Sequence, residues 1–375
     1  METSGAVTPS AIHPSDLTEW VTGPGPFATV YLTAEAAVEN AAQRSQVRWK
    51  THRDELLAAG APEEVVAAVD PLVADAHLEG EGLGVIVRAD GGLHVEHDPH
   101  PPAVDRAAWT VLPSMGQLLA WRQAAVPHVV VVADRLGADI VAVAASGGSL
   151  EREAGRHDRP VRKVGAGGWS QRRYQERAEN TWERNADDAA AQVSRLAAAV
   201  DARFVAVAGD VRAITLLRDA LPSEVTVLVQ EVGGGRSADG SDDTIAAQVA
   251  DLVDQAAQTA TASVLDKFRE ERGQHDRAAD GPEETIGALS AAQVDVLLVH
   301  DDGEDGRTAW FGPDPTQVAL SASTLGDLGV DDPIEGRLVD VAVRAGLGTG
   351  AGIRMVPRIG VPAEGLGAVL RWASS

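Results

Sequence analysis

Residues 162–177 read Arg162-Lys-Val-Gly-Ala-Gly-Gly-Trp-Ser-Gln-Arg-Arg-Tyr-Gln-Glu-Arg177. Three glycines, Gly165, Gly167 and Gly168, precede Trp169, and Ser170 is of the residue type that caps helix N-termini. Glycine at 167 and 168 admits backbone angles that other residues resist and lets the main chain approach another molecule closely. Behind this stretch, Tyr174, Ala178, Trp182, Ala189, Val193, Leu196 and Val200 recur close to helical spacing. The spacing predicts one long helix over 170–200, about 46 Å at 1.5 Å per residue. Arginines open that helix, and its N-terminus adds partial positive charge. Two readings follow: a flexible glycine turn with solvated arginines, or a tip shaped for a narrow, phosphate-lined place.

The surroundings sharpen the contrast. The 375-residue chain has a formal charge of −24, yet 155–177 holds seven basic residues against Asp158 and Glu176. That is a net +5 island, leaving −29 for the remainder. Only three lysines occur, so arginine carries the positive charge, and guanidinium is the better fork for phosphate. The acidic balance argues against a general nucleic-acid coat or a binder of anionic membranes. There are no cysteines, which excludes disulfides, thiolate metal sites and a cysteine nucleophile. The N-terminal residues lack the basic start and apolar core of a secretory signal, and no apolar run nears the roughly 20 residues of a membrane span. The expectation is a cytosolic protein with no membrane partner and no cofactor.

Strands alternating with helices predict an α/β chain in three parts, 1–125, 126–240 and 241–375. In the first, 27–32 has strand composition, 35–59 and 62–79 read as helices, and 84–87 and 93–95 flank the turn Asp90-Gly-Gly92. In the second, 129–132 and 139–144 read as paired strands, then the basic stretch 151–168 and the long helix follow. Strand 204–208, helix 211–221 and strand 225–229 complete it, ending at Gly233-Gly-Gly235. The third begins with a helix from 242 to 272, then helix 283–292, strand 294–299, helix 333–346, strand 352–356 and a last strand near 367–372.

Several familiar chemistries are absent. No GxxxxGK[ST] string exists, and Gly346-Leu-Gly-Thr-Gly350 departs from the dinucleotide fingerprint and reads as a helix stop and turn. No GxSxG, HExxH or full EF-hand pattern occurs. His94, His97 and His100, with Asp98, sit at a strand end before prolines, where a polar loop is the better reading than a metal site. Asp301-Asp-Gly-Glu-Asp305 reads as a solvated turn. Arg44, Arg48 and His52 fall four apart on one helix face, either solvated or a second phosphate contact.

The segment 140–375 resembles the archaeo-eukaryotic class I peptide-release factors, in a bacterial branch that includes Balon-type ribosome hibernation factors and their actinobacterial relatives. In that superfamily a basic loop carries Gly-Gly-Gln, followed by serine and an arginine-rich helix, and 163–177 is the matching string. Val205-Ala-Val-Ala-Gly-Asp210, Val232-Gly-Gly-Gly-Arg236, Pro282–Leu289 with 294–299, and Gly365–Trp372 resemble further family segments in the same order. The resemblance implies a three-domain architecture with mixed sheets and a long helix after a glycine-rich loop. It also implies a ribosomal partner and an elongation-factor-Tu-type GTPase.

The departures shape the expected function. The catalytic glutamine position is Trp169, and an indole donates a hydrogen bond but accepts none. The first part has no Asn-Ile-Lys-Ser string, and zero cysteines exclude the cysteine-bearing stop-codon motif. The expectation is therefore a non-enzymatic ribosome-binding factor. It would occupy the A site and direct 163–173 toward the peptidyl-transferase centre during hibernation or stress. Its RNA-binding residues would be Arg162, Lys163, Gly165, Gly167, Gly168, Trp169, Ser170, Gln171, Arg172, Arg173 and Arg177. The alternatives are a peptidyl-tRNA hydrolase for ribosome rescue, and a regulatory or structural protein that never meets a ribosome.

Overall fold

A computed structural model describes residues 15–23, 25–35, 40–134, 137–145, 149–154, 168–235, 241–274, 277–303, 305–358, 360 and 362–373, without the side chains of 153, 168–182 and 241. These residues form two compact units, 1–123 with 259–375, and 124–258. Its α/β class with mixed sheets is the one expected.

The chain begins with α1 (Ser15–Thr22), β1 (Phe27–Thr33), α2 (Ala41–Ala58), α3 (Glu63–Ala67) and α4 (Asp70–Asp75). It continues through β2 (Gly82–Arg88), β3 (Leu93–Asp98), β4 (Arg106–Thr110) and α5 (Gly116–Ala124). The sheet β3-β2-β1-β4 is antiparallel throughout. Alternation along β1 divides its side chains between two cores. Ala28, Val30 and Leu32 pack with Trp49, Leu56 and Val66 of the helices on one face. Phe27 and Tyr31 join α1, α5 and the C-terminal helices on the other. The expected helix 62–79 is broken, because Pro71 sits in the first turn of α4 and forces a new start.

The second unit holds β5 (His128–Ala133), β6 (Ala138–Val143), β7 (Ser149–Ala154), α6 (Gly168–Val200), β8 (Phe204–Gly209), α7 (Val211–Ala220), α8 (Ser223–Thr226) and β9 (Val229–Glu231). It also takes the first half of α9 (Ser241–Gln274). The sheet order is β7-β6-β5-β8-β9. β5, β6 and β7 pair antiparallel, whereas β8 lies parallel to both β5 and β9. The expected strand 225–229 is instead the turn of α8 followed by β9. Pro222, a suitable residue just before a helix, turns the chain into α8 before the strand begins.

The C-terminal part adds β10 (Ala278–Asp280), α10 (Pro282–Ser290), β11 (Val294–Val299), β12 (Thr308–Phe311), β13 (Val318–Ala319), α11 (Ala322–Asp327), β14 (Ile334–Arg337), α12 (Leu338–Gly348), β15 (Gly352–Met355) and β16 (Leu366–Leu370). A mixed sheet runs β10-β16-β11-β15, with β11 and β15 parallel, and β13-β12-β14 forms a small antiparallel sheet. The expected helix 333–346 starts only at 338. Residues 334–337 pair with β12 instead, and Gly336 among them packs closely on Val341. α12 stops at Gly348 with Gly350 at φ 72°, as the glycine run 346–350 suggested. No helix among the described residues is long and apolar enough to cross a membrane.

Candidate nucleic-acid interface

The central unit is built around the hairpin that leads into 155–167 and the helix that leaves it. β7 pairs with β6 from Ser149 to Ala154, and the chain re-enters the described structure at Gly168, the first residue of α6. α6 has 33 residues, about 50 Å of helix, whereas a six-residue strand spans roughly 20 Å. Ala189, Ala190, Val193, Leu196 and Ala197 are buried, at helical spacing, against Val129, Val131, Ile140 and Ala142 of the sheet. Small alanines let this part of α6 lie close to the strands.

Arg162, Lys163, Gly165 and Gly167 lie outside the described residues. Gly168, Trp169, Ser170, Gln171, Arg172, Arg173 and Arg177 all belong to the backbone of α6, whose side chains there lie outside the description. The helix begins two residues earlier than expected. Ser170 is therefore inside the first turn rather than at the N-cap, and Gly168 and Trp169 open the helix rather than close the loop.

Two glycines in the segments 205–210 and 232–236 have positive φ. Gly209 ends β8 at φ 130°, and a Cβ there would be driven into the Ala133 carbonyl oxygen. Asp210 then caps α7, accepting from the Arg212 amide at 3.0 Å and the Ala213 amide at 3.3 Å. Gly234 has φ 123°, and the neighbouring Gly233 amide donates to Gln248 Oε1 at 2.9 Å. At the other end of the sheet His128 stacks on Phe204, with centroids 5.0 Å apart and planes 6° from parallel. Burial pushes the His128 imidazole pKa down, and its Nδ1 lies 2.8 Å from the Val126 carbonyl.

The second candidate face is heavily paired. Arg44 Nε lies 2.7 Å from Glu35, and Arg48 reaches the same carboxylate. Arg48 also stands 3.5 Å from Asp105 and donates to the Thr33 carbonyl at 3.3 Å. The hydrogen bond from Arg48 is the main reason the Glu35 carboxyl stays below the usual carboxylate range. His52 Nδ1 lies 2.8 Å from Glu55. The two arginines carry their own counter-charges in Glu35 and Asp105, so little net positive charge is left for a phosphate.

The histidines of β3 do not converge. His94 and His97 are three residues apart on one strand and so face opposite sides. His94 meets Trp20 edge-on, and His100 lies 3.2 Å from Asp98. Among the described residues no group of three or more metal-ligating side chains occurs.

The Asp301–Asp305 turn differs from the solvated loop expected. The Asp301 side chain is 6% exposed and ion-paired with Arg337. Burial, the largest single effect, opposes its charge, but the hydrogen bond and charge of Arg337, the charge of Arg106 and the Gly303 amide together outweigh it and hold its pKa below the ordinary value. Asp305 holds Arg307 at 2.5 Å, and Arg307 also reaches Glu364 at 3.0 Å. Near this turn lies a residue that sequence reasoning missed. Asp340, in the apolar run Leu338-Val-Asp-Val-Ala-Val343, is buried beside Ser114 and Arg337. A lone carboxylate inside an apolar helix, three residues after an arginine, was the signal.

Residues 127–274 match the family described as bacterial archaeo-eukaryotic release factor family 2. The chain is 27% identical over 372 residues to the uncharacterized protein Rv2629 of Mycobacterium tuberculosis, covering 96% of this chain and 97% of that one. Similar solved structures include an archaeal translation termination factor, aRF1 (14% identity, 95% of each chain, TM-score 0.24). Pelota of Archaeoglobus fulgidus shares 16% identity over 78% of this chain and 79% of its own, at a TM-score of 0.34.

Proposed function

Because its segment 127–274 is of the archaeo-eukaryotic release-factor kind, in the bacterial branch, we propose that the protein is a ribosome-binding translation-factor homologue that docks without hydrolysing peptidyl-tRNA. It occupies the A site, places 163–173 beside the peptidyl-transferase centre, and holds the ribosome idle under stress. The three sequence segments act as three domains in that pose, with an elongation-factor-Tu-type GTPase as delivery partner.

The observation that carries this reading is Trp169, which stands where the release-factor resemblance would put the catalytic glutamine, inside a +5 island of a −24 chain. Loss of the glutamine amide removes a group that can both donate and accept near the reacting ester. An indole supplies instead a flat face, worth roughly 1–3 kcal/mol where it stacks on a base. Arginines supply phosphate contacts, while the acidic remainder opposes unspecific RNA binding. On the Arg44–Arg48–His52 face the arginines have their charge spent on Glu35 and Asp105 and His52 lies against Glu55, so the face serves at most as a weak second contact.

Co-sedimentation with 70S ribosomes, paired with a peptide-release assay on stalled complexes, tests the proposal. Binding without release is expected. Release that depends on 167–169 makes the protein a rescue hydrolase instead, and no association in growing or starved cells removes the ribosome from its function.

A further inference from the structure

The buried cluster around Asp340 joins chain segments more than two hundred residues apart. Asp340 is 3% exposed, in the first turn of α12. Its Oδ2 accepts from Ser114 Oγ at 3.1 Å, in the connection between β4 and α5. Ser114 is itself fixed on both sides. Its amide donates to Thr29 Oγ1 at 3.2 Å, and its carbonyl accepts from the Tyr31 hydroxyl at 2.8 Å. The Asp340–Ser114 bond therefore ties the N-terminal sheet to the C-terminal helix.

The other oxygen of Asp340 has no such support. Oδ1 is buried without a hydrogen-bond partner, and so is Arg337 Nη1, 3.6 Å away. Arg337 cannot turn fully to Asp340, because it is ion-paired with Asp301 and its Nε points to the Asp305 carbonyl at 3.4 Å. Asp301 adds a second negative charge, and Arg106 on β4 adds a positive one. Tyr31 of β1 is buried and neutral, its pKa pushed up mainly by burial. The acids of the other packed helices, Asp16 and Glu19 on α1 and Glu283 and Glu284 on α10, are exposed. An ionised Asp340 is thus a buried anion with one neutral donor and a shared cation, an arrangement that costs stability.

We propose that Asp340 is a proton-operated latch on this seam: the protonated carboxyl holds segment 106–116 against α12, and ionisation loosens it. Burial, the largest effect, raises the Asp340 pKa to about 7, against partial relief from Arg337. The folded value lies above the ordinary 3.8, so the folded form holds a proton that the opened form releases. Stability from this group is full below about 4, declines as pH rises, and is gone above about 7. One proton is involved, so the opening equilibrium shifts by at most tenfold per pH unit in that window.

Hydrogen exchange of the full-length protein, corrected for intrinsic rates, tests this on peptides covering 27–33, 106–119 and 338–347. Seam opening in the wild type is expected to rise several-fold per pH unit from pH 5 to 7, then level off. Asp340→Asn, which mimics the neutral acid, is expected to flatten that slope. Should this variant fail to fold, carboxyl carbon-13 NMR of the wild type reads the Asp340 titration directly, with a midpoint expected between pH 6 and 8. A midpoint below 5, a pH-independent seam, or an equal slope in Asp340→Asn overturns the latch.

Discussion

Gly209 faces Ala133 across the parallel pair β5–β8, at a φ of 130° that leaves no room for a Cβ beside the Ala133 carbonyl. The end of β8 sets where α7 begins, through the Asp210 cap. Gly209→Ala should therefore destabilise the central unit by about 2–4 kcal/mol. Hydrogen exchange of peptides over 128–133 and 204–220 checks it, and unchanged protection there would refute the strain argument.

Arg344 is a buried cation spent on the backbone. Its Nη2 donates to the Gly312 carbonyl at 2.9 Å and the Pro313 carbonyl at 2.8 Å, and its guanidinium lies 4.8 Å from the Phe311 ring. Arg344→Ala should lower stability by about 3 kcal/mol, because the carbonyls lose their donors. Arg344→Lys should recover only part, since an ammonium cannot reproduce the planar fork. Urea midpoints for the three proteins decide it, and full rescue by lysine would count against the fork.

Asp301 and Asp340 share Arg337 but respond to pH in opposite senses. The folded pKa of Asp301 is below 3.8, so its stability contribution exists above that value and is lost as pH falls through the folded one. Asp340 loses its contribution as pH rises toward about 7. Asp301→Asn should be less stable than wild type at pH 6 and show a shallower decline on acidification toward pH 3. Parallel urea-midpoint curves for the two proteins would contradict this assignment.

Arg44 is already neutralised by Glu35, at 2.7 Å. Arg44→Gln should change ribosome affinity less than threefold and leave the salt slope unchanged, whereas a true phosphate contact would reduce that slope by about one. Affinity measured at several salt concentrations separates the two.

Much of the fold was legible because its strands and long helices bury strict patterns. β5 and β6 read as paired strands, and the alanine-rich spacing of α6 gave its length to within two residues. Short elements with mixed patterns were not readable. β7, Ser149–Ala154, is an edge strand with three consecutive charged residues, Glu151, Arg152 and Glu153, so no apolar alternation marks it and it looks like the loop it enters. β14 passes for helix because its strand character comes from pairing with β12, a partner more than twenty residues away. Of the candidate site, the sequence shows the charge island and the tryptophan, since both are local. It hides the pairing of Arg44 and Arg48, because Glu35 and Asp105 reach them only once the chain has folded. Asp340 was obscured for the same reason: Ser114 is 226 residues away.

The most direct measurement of the central claim is a cryo-EM map of the protein mixed with ribosomes from its own cells. The account requires density for the protein in the A site, residues 163–173 against the RNA of the peptidyl-transferase centre, and Arg172 and Arg173 near phosphates. Ribosomes with an empty A site, or Trp169 packed within its own chain and away from RNA, would contradict it.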